Sequence, residues 1–226
     1  MSLVDRVIAV FSAGGWVMYP LLLLGLLSCT LIFERTLFWI VQRGGATKAG
    51  IVAAHLRSGD LDAARRATRE ATGVYGSAMR DIGCEGTGLN GMQMTEAGVL
   101  DAIERSRPAL ERSSVALSTI ITAAPMLGIL GTVTGIIKSF GLISQQVSVR
   151  DPTAVAGGIA EALYTTAFGL LIAILTVFPY MLFRSAADRA LSRLESIAGL
   201  AVEASRTRGR SGSEAEAAVN VAESGA

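Results

Sequence analysis

The chain has 226 residues, of which 51% are hydrophobic and only 17% are charged, and its mean hydropathy is +0.49. A charged fraction well below the roughly 25% of a soluble domain argues against an ordinary water-soluble protein. The net charge of +1 gives no indication of nucleic-acid binding. The sequence shows no nucleophile–base pair and no phosphate-binding loop, which disfavours an enzyme, and we expect neither a metal nor a cofactor.

The chain opens with a short amphipathic segment over residues 1–15, in which Leu3, Val7 and Val10 share one helical face. We expect this segment to lie on the outer membrane surface. A first membrane span is predicted over residues 16–41, which exceed the ~20 residues that a helix needs to cross the hydrocarbon. The apolar run is too long, and its leading charge too weak, for a cleaved signal peptide.

A cytoplasmic helical domain is predicted over residues 42–116. Its first helix begins in the sequence SGDLDAARRATRE, with Asp60 as the N-cap. Its second helix opens near Glu96 and is predicted to run straight into span two, with bends at Pro108 and Pro125.

Spans two and three are predicted over residues 117–143 and 156–183, with a periplasmic loop over 144–155 between them. Span three is expected to continue as a cytoplasmic helix over 184–206, and residues 207–226 are predicted to be a disordered tail. The sequence therefore predicts an all-α membrane protein of three transmembrane helices, in which spans two and three extend into the cytoplasm as long helices.

Orientation follows from the distribution of basic residues. They concentrate between spans one and two and after span three, whereas the N-terminus offers only Arg6 and the loop between spans two and three only Arg150. Lysine and arginine are retained on the cytoplasmic side of membranes. We therefore expect a periplasmic N-terminus and a cytoplasmic C-terminus.

Small residues recur every four positions in spans two and three, a pattern that allows membrane helices to approach closely. In span two the rows are Gly128–Thr132 and Gly131–Gly135–Ser139, and in span three they are Thr165–Gly169–Ala173 and Ala162–Thr166. Packing alone would explain them.

Glu161 in span three and Lys138 in span two are ionisable residues in segments that are otherwise apolar. A charge at membrane depth costs a few kcal/mol, so Glu161 should face a partner, a cavity or a water path. Pairing with Lys138 is one alternative, and snorkelling of each side chain to the interface is the other. On a straight helix Thr165 lies about 40° from Glu161 and Thr166 about 140°, so Glu161 and Thr166 do not share a face.

The segments APMLGILGTVTGIIKSF and GGIAEALYTTAFGLLIAILTVFPY resemble the paired signature of the ExbB/TolQ/MotA family of inner-membrane proton-channel proteins. The topology and the GDLDAARR segment are similar as well. The resemblance is closer to ExbB/TolQ than to the flagellar MotA branch. Two departures, Thr134 after GTV and Leu175 where many relatives have proline, leave the polar positions intact.

The resemblance implies a homopentamer in the lipid of a bacterial inner membrane, around a dimer of a single-span ExbD/TolR-like partner. Proton flow would move that partner and so act on TonB- or TolA-like proteins. In this chain Thr132, Thr166 and Glu161 correspond to the proton pathway. Thr165 and Lys138 are second-tier candidates. A lysine such as Lys138 is not expected in a dry pore wall.

Two alternatives remain open. A structural membrane scaffold would need only the glycine rows, with Glu161 incidental. A secondary transporter would need more spans and usually internal repeats, which this chain lacks.

Overall fold

A computed structural model of the chain describes residues 14–83, 96–145 and 152–224, with side chains described over 14–83, 98–141 and 155–207. These residues form six helices and no strand. The helices are α1 (Met18–Arg57), α2 (Leu61–Glu70), α3 (Gly73–Asp81), α4 (Glu96–Glu111), α5 (Ser114–Gln145) and α6 (Pro152–Ser224). The predicted amphipathic face over residues 3–11 lies outside the described residues.

The three predicted spans are confirmed by helices long and apolar enough to cross a membrane, namely Met18–Arg57, Ser114–Gly141 and Val155–Thr207. Helix α1 continues past the predicted limit at residue 41 and stops at Gly59, whose φ of 76° is incompatible with a helix. The predicted cap is confirmed next to it, since Asp60 accepts a 2.9 Å hydrogen bond from the Ala63 N–H at the start of α2.

The chain divides into two compact units. One, here called the spanning unit, comprises Met1–Thr36 and Ser113–Phe183, and the other, here called the core unit, comprises Leu37–Arg112 and Arg184–Ala226.

The core unit is built around one cluster of buried apolar side chains. Val52 of α1, Met79 of α3 and Leu194 of α6 are fully buried in it. The predicted cytoplasmic helix over residues 184–206 supplies one side of the cluster, through the buried Leu191, Leu194, Ile197 and Ala201. Removal of such side chains from water is worth about 1.5–3 kcal/mol for each large aliphatic residue.

The spanning unit buries few large side chains. Val17, Met18 and Leu21 pack with Ala124, and the partly buried Phe168 and Ile172 pack against them. Large apolar side chains such as Leu22, Ile129 and Leu171 are instead exposed. A surface of this kind is suited to hydrocarbon rather than to water.

The structure corrects the predicted uninterrupted helix ahead of span two. Helix α4 ends at Glu111, and Ser113 has a φ of 67°, which breaks the helix before α5 begins. The Ser113 hydroxyl lies 3.4 Å from Glu34 Oε2, and the Ser113 carbonyl accepts the first bond of α5, from the Leu117 N–H. The predicted continuity holds for α6, which runs from span three without a break.

The structure also corrects the predictions for the segment that precedes α6 and for the C-terminal part of α6. Residues 207–224 are helical rather than disordered, because SEAEAAVNVAES is rich in alanine and glutamate, has no proline and favours a helix. Both helices extend into the segment predicted as a loop over 144–155, because α5 reaches Gln145 and α6 begins at Pro152, a residue whose fixed φ suits the first helical position.

Candidate functional site

Helices α5 and α6 meet through residues too small to keep them apart. A β-carbon added to Gly131 would lie 2.1 Å from Thr165 Oγ1, and one added to Gly128 would lie 3.0 Å from the Thr166 Cα. A β-carbon has no room at Gly131, and at Gly128 it would press on the backbone of α6. The backbones of α5 and α6 therefore touch, as the small-residue rows of the two spans suggested.

The same contact continues toward both ends of the two helices. A β-carbon on Gly135 would lie 2.9 Å from the Ala162 Cβ, and one on Gly169 would lie 2.5 Å from the Ala124 carbonyl oxygen. Ala173, the last residue of its row, is also buried. The five residues expected to mediate packing are thus buried or seated against a neighbouring helix.

Threonine hydroxyls add polar bonds to this contact. Thr166 Oγ1 donates across the helices to the Gly128 carbonyl at 2.9 Å. Thr165 is buried and donates to the Ala162 carbonyl of its own helix at 2.8 Å. The Gly128 carbonyl therefore accepts a side-chain hydroxyl from a second helix, which is the kind of polar link that apolar surroundings favour.

Thr132 is placed differently from the two threonines of α6. It is only partly buried, and its hydroxyl donates to the Ile129 carbonyl of α5 at 2.6 Å. Since Thr132 follows Gly128 by four residues, it lies one turn further along α5 from the point where Thr166 bonds. Two candidate pathway residues thus lie within about one turn along the same pair of helices.

Glu161 and Lys138 form an ion pair. Lys138 Nζ donates to Glu161 Oε2 at 2.8 Å, so the structure shows the paired alternative. The Glu161 side chain is 16% exposed and the Lys138 side chain 62%. The turn before α1 also reaches Glu161, because a β-carbon on Gly15 would lie 1.9 Å from Glu161 Oε1.

Sequence reasoning missed a second polar link in the spanning unit. The buried hydroxyls of Ser28 in α1 and Thr176 in α6 lie 2.7 Å apart. Because Thr176 also bonds the Ile172 carbonyl at 2.6 Å, Ser28 is the donor of the pair. Single hydroxyls are common in spans, so neither residue carried a signal that pointed to the other. Arg35 of α1 is also buried.

Charged groups of the core unit form ion pairs at the surface, for example Lys48 with Glu70 and Arg105 with Asp101. The ion pair between Lys48 and Glu70 holds the pKa of the Glu70 carboxyl below its ordinary value. Burial raises the pKa of the Tyr75 hydroxyl above its ordinary value. Within the described part of the chain, no group of three or more histidine, cysteine, aspartate or glutamate residues could hold a metal ion.

Comparison with known proteins gives consistent matches. A model of the MotA/TolQ/ExbB proton channel family matches residues 86–196. A putative biopolymer transport protein ExbB-like 3 of Synechocystis is 34% identical over 189 residues, which cover 76% of this chain and 82% of that protein. The Tol-Pal system protein TolQ of Pseudomonas aeruginosa is 40% identical over 98 residues, 43% of this chain and 42% of its own.

Proposed function

The chain belongs to the MotA/TolQ/ExbB proton channel family, whose members are membrane transport proteins rather than enzymes, and we propose that it is the channel subunit of an ExbB/TolQ-like motor. In this role it forms a homopentamer in a bacterial inner membrane, with its N-terminus in the periplasm. It surrounds an ExbD/TolR-like single-span partner and couples proton flow to the motion of that partner. The motion energises TonB- or TolA-dependent processes.

The observation that carries the proposal is the placement of two threonine hydroxyls, one on α6 and one on α5, within about one helical turn of each other. The Thr166 hydroxyl bonds the Gly128 carbonyl, and Thr132 lies one turn further along α5. Protons cannot cross hydrocarbon without polar groups. Hydroxyls donate and accept hydrogen bonds and bind water without the free-energy cost of burying a charge. Threonine side chains can therefore line a proton path at low energetic cost.

Exposure of Thr132 supports an assembly rather than a single conducting chain. The residue is partly open at the surface of the described helices, and its neighbours Ile129, Val133 and Ile136 are exposed as well. One copy offers a polar position on an open face rather than an enclosed path. Further copies, or the helix of a partner, would be needed to close a channel around it.

The test is proton flux through the complex of this chain with its partner, reconstituted in liposomes containing a pH-sensitive dye. We expect Thr132→Ala and Thr166→Ala each to reduce flux by about tenfold or more, which corresponds to about 1.4 kcal/mol on the barrier. Thr134→Ala is the matched control, because Thr134 lies two residues from Thr132 in the same helix, bonds carbonyls of that helix as Thr132 does, and is not assigned to the pathway. If both variants conduct like the unmodified complex, the pathway assignment is wrong.

A structural scaffold is the second candidate, and the glycine contacts favour it specifically. Gly128, Gly131 and Gly135 explain the small residues of α5 by packing alone. A scaffold would assemble and bind its partner without passing protons. We would therefore conclude that the chain is a scaffold and not a channel subunit if the intact, unmodified complex passed no protons across an imposed proton gradient.

A further inference from the structure

Two segments far from Glu161 in the sequence converge on its carboxylate. Lys138 of α5 bonds one oxygen, Oε2, at 2.8 Å. The turn before α1 covers the other oxygen, because a β-carbon on Gly15 would lie 1.9 Å from Oε1. Gly15 has a φ of +66°, a backbone conformation that residues with a side chain rarely adopt. The carboxylate is thus held from two sides.

The close approach of α5 and α6 makes this ion pair. Three residues before Lys138, a β-carbon on Gly135 would lie 2.9 Å from the Gly158 carbonyl oxygen. One residue after Lys138, the buried Ser139 bonds the Gly135 carbonyl at 3.0 Å, and its Oγ would lie 2.1 Å from a β-carbon on Gly158. With the two backbones this close, a lysine and a glutamate side chain meet without stretching toward an interface.

The exposure of the two side chains argues that Glu161 governs the pair. A carboxylate that is 16% exposed among apolar residues is costly to ionise unless a cation compensates it. Lys138, at 62% exposed, has the freer side chain and could leave by snorkelling, yet it is directed to Glu161. A lysine ammonium has three donors, so it can bond Glu161 and still remain solvated or bound elsewhere.

We propose that Lys138 is the counter-ion that keeps Glu161 ionised and fixed in orientation, and that the turn at Gly15 covers the carboxylate. Glu161 is then a positioning residue whose charge is cancelled locally, and it does not carry transported protons. This inference deepens the proposed function and rests on it where proton flux is concerned. The pair itself concerns this chain alone.

Infrared spectroscopy of the full chain in lipid nanodiscs tests the charge state. The difference spectrum between the unmodified chain and Glu161→Gln should show the loss of an ionised carboxylate band and no carboxylic-acid band. In a Lys138→Met background the same comparison should show a carboxylic-acid band, and Lys138→Arg should restore the carboxylate. A carboxylic-acid band for Glu161 in the unmodified chain, or an unchanged carboxylate in Lys138→Met, would overturn the proposal.

Lys48→Met is the matched control for the infrared experiment. Lys48 also pairs with a glutamate, Glu70, but the Glu70 side chain is 64% exposed and remains solvated when the lysine is lost. No carboxylic-acid band should therefore appear in Lys48→Met. A band of equal size in both lysine variants would show that the signal does not report burial of Glu161, and the inference would fail.

Flux through the reconstituted complex gives the second readout. Lys138→Met should reduce flux by about tenfold. The exchange variant Lys138→Glu with Glu161→Lys should recover most of it, since it preserves the pair. No recovery, with the exchanged chain assembled normally by size-exclusion chromatography, would contradict a role through mutual charge. Absence of flux in the unmodified complex would instead count against the proposed function and leave the infrared result to decide on the counter-ion.

Discussion

The two units of this chain pack by opposite rules. In the core unit, large aliphatic side chains such as Leu194, Ile197 and Val52 are buried together in one cluster. In the spanning unit, side chains of the same kind, such as Leu22 and Ile129, are exposed, and glycines and hydroxyl-bearing residues lie between the helices. The difference teaches that one chain can follow two packing rules, each set by the surroundings of the unit.

The physical reason lies in what each contact replaces. In water, burial of apolar surface contributes roughly 25 cal/mol per Å², so large side chains stabilise a core. In hydrocarbon, lipid tails are as apolar as leucine and this term is absent. Contact between spans then depends on close van der Waals approach and on interhelical hydrogen bonds, and both require small or hydroxyl-bearing residues.

The largest loss of stability is expected for a cavity in the buried cluster of the core unit. Leu194→Ala removes a fully buried side chain of α6 and should destabilise this unit by about 2–5 kcal/mol, the range for leucine truncation in a core. Hydrogen exchange followed by mass spectrometry on the full chain in nanodiscs should show faster exchange in α2 and α3. Leu100→Ala in α4 is the control, because that side chain is 61% exposed. Equal effects of the two variants would mean that burial of Leu194 does not stabilise the core unit.

An intermediate effect is expected where the close approach of the spans is blocked. Gly131→Ala places a β-carbon 2.5 Å from Thr165 Cβ, a contact that no side-chain rotation relieves, and should cost about 1–3 kcal/mol. The measurement is unfolding of the purified chain in mixed micelles. Gly141→Ala in the same helix adds its β-carbon to open space and should stabilise the chain by about 0.4–1 kcal/mol, because alanine has less freedom than glycine in the unfolded chain. Should Gly131→Ala be as stable as Gly141→Ala, the helices do not depend on close approach.

The smallest effect is expected for the hydroxyl pair. A double-mutant cycle of Ser28→Ala and Thr176→Val should give a coupling energy of about 0.6 kcal/mol, typical of interhelical hydrogen bonds in membranes. Pairing Ser28→Ala instead with Thr134→Val should give no coupling, because the Thr134 hydroxyl bonds only its own helix. A coupling as large as the Leu194→Ala effect would mean that polar bonds, rather than close approach, hold the spans.

The sequence predicted the features that depend on composition along one helix. Three apolar runs longer than a bilayer crossing identified the spans, and rows of small residues indicated the faces on which α5 and α6 meet. The Asp60 cap was also readable, since the signal lies within a few residues of the bond it makes.

Features that depend on contacts between distant residues could not be read in the same way. The break at Ser113 has no glycine or proline to mark it. The Ser28–Thr176 bond joins positions 148 residues apart, and the cover of Gly15 over Glu161 is set by how the turn before α1 packs. Residues 207–224 are helical despite their low hydrophobicity, because their alanine and glutamate residues have high helix propensity.

The contacts of Glu161 with Lys138 and Gly15 have a consequence for how this sequence can change over evolutionary time. Gly15, Lys138 and Glu161 must be inherited as a set, since a side chain at position 15 displaces the carboxylate and loss of the lysine leaves it uncompensated. Among close relatives, position 15 should therefore diversify only in lineages that have also replaced the acid at 161. The lysine and the glutamate should be lost or exchanged together, and this covariation would stand out against the freely drifting apolar surface around them.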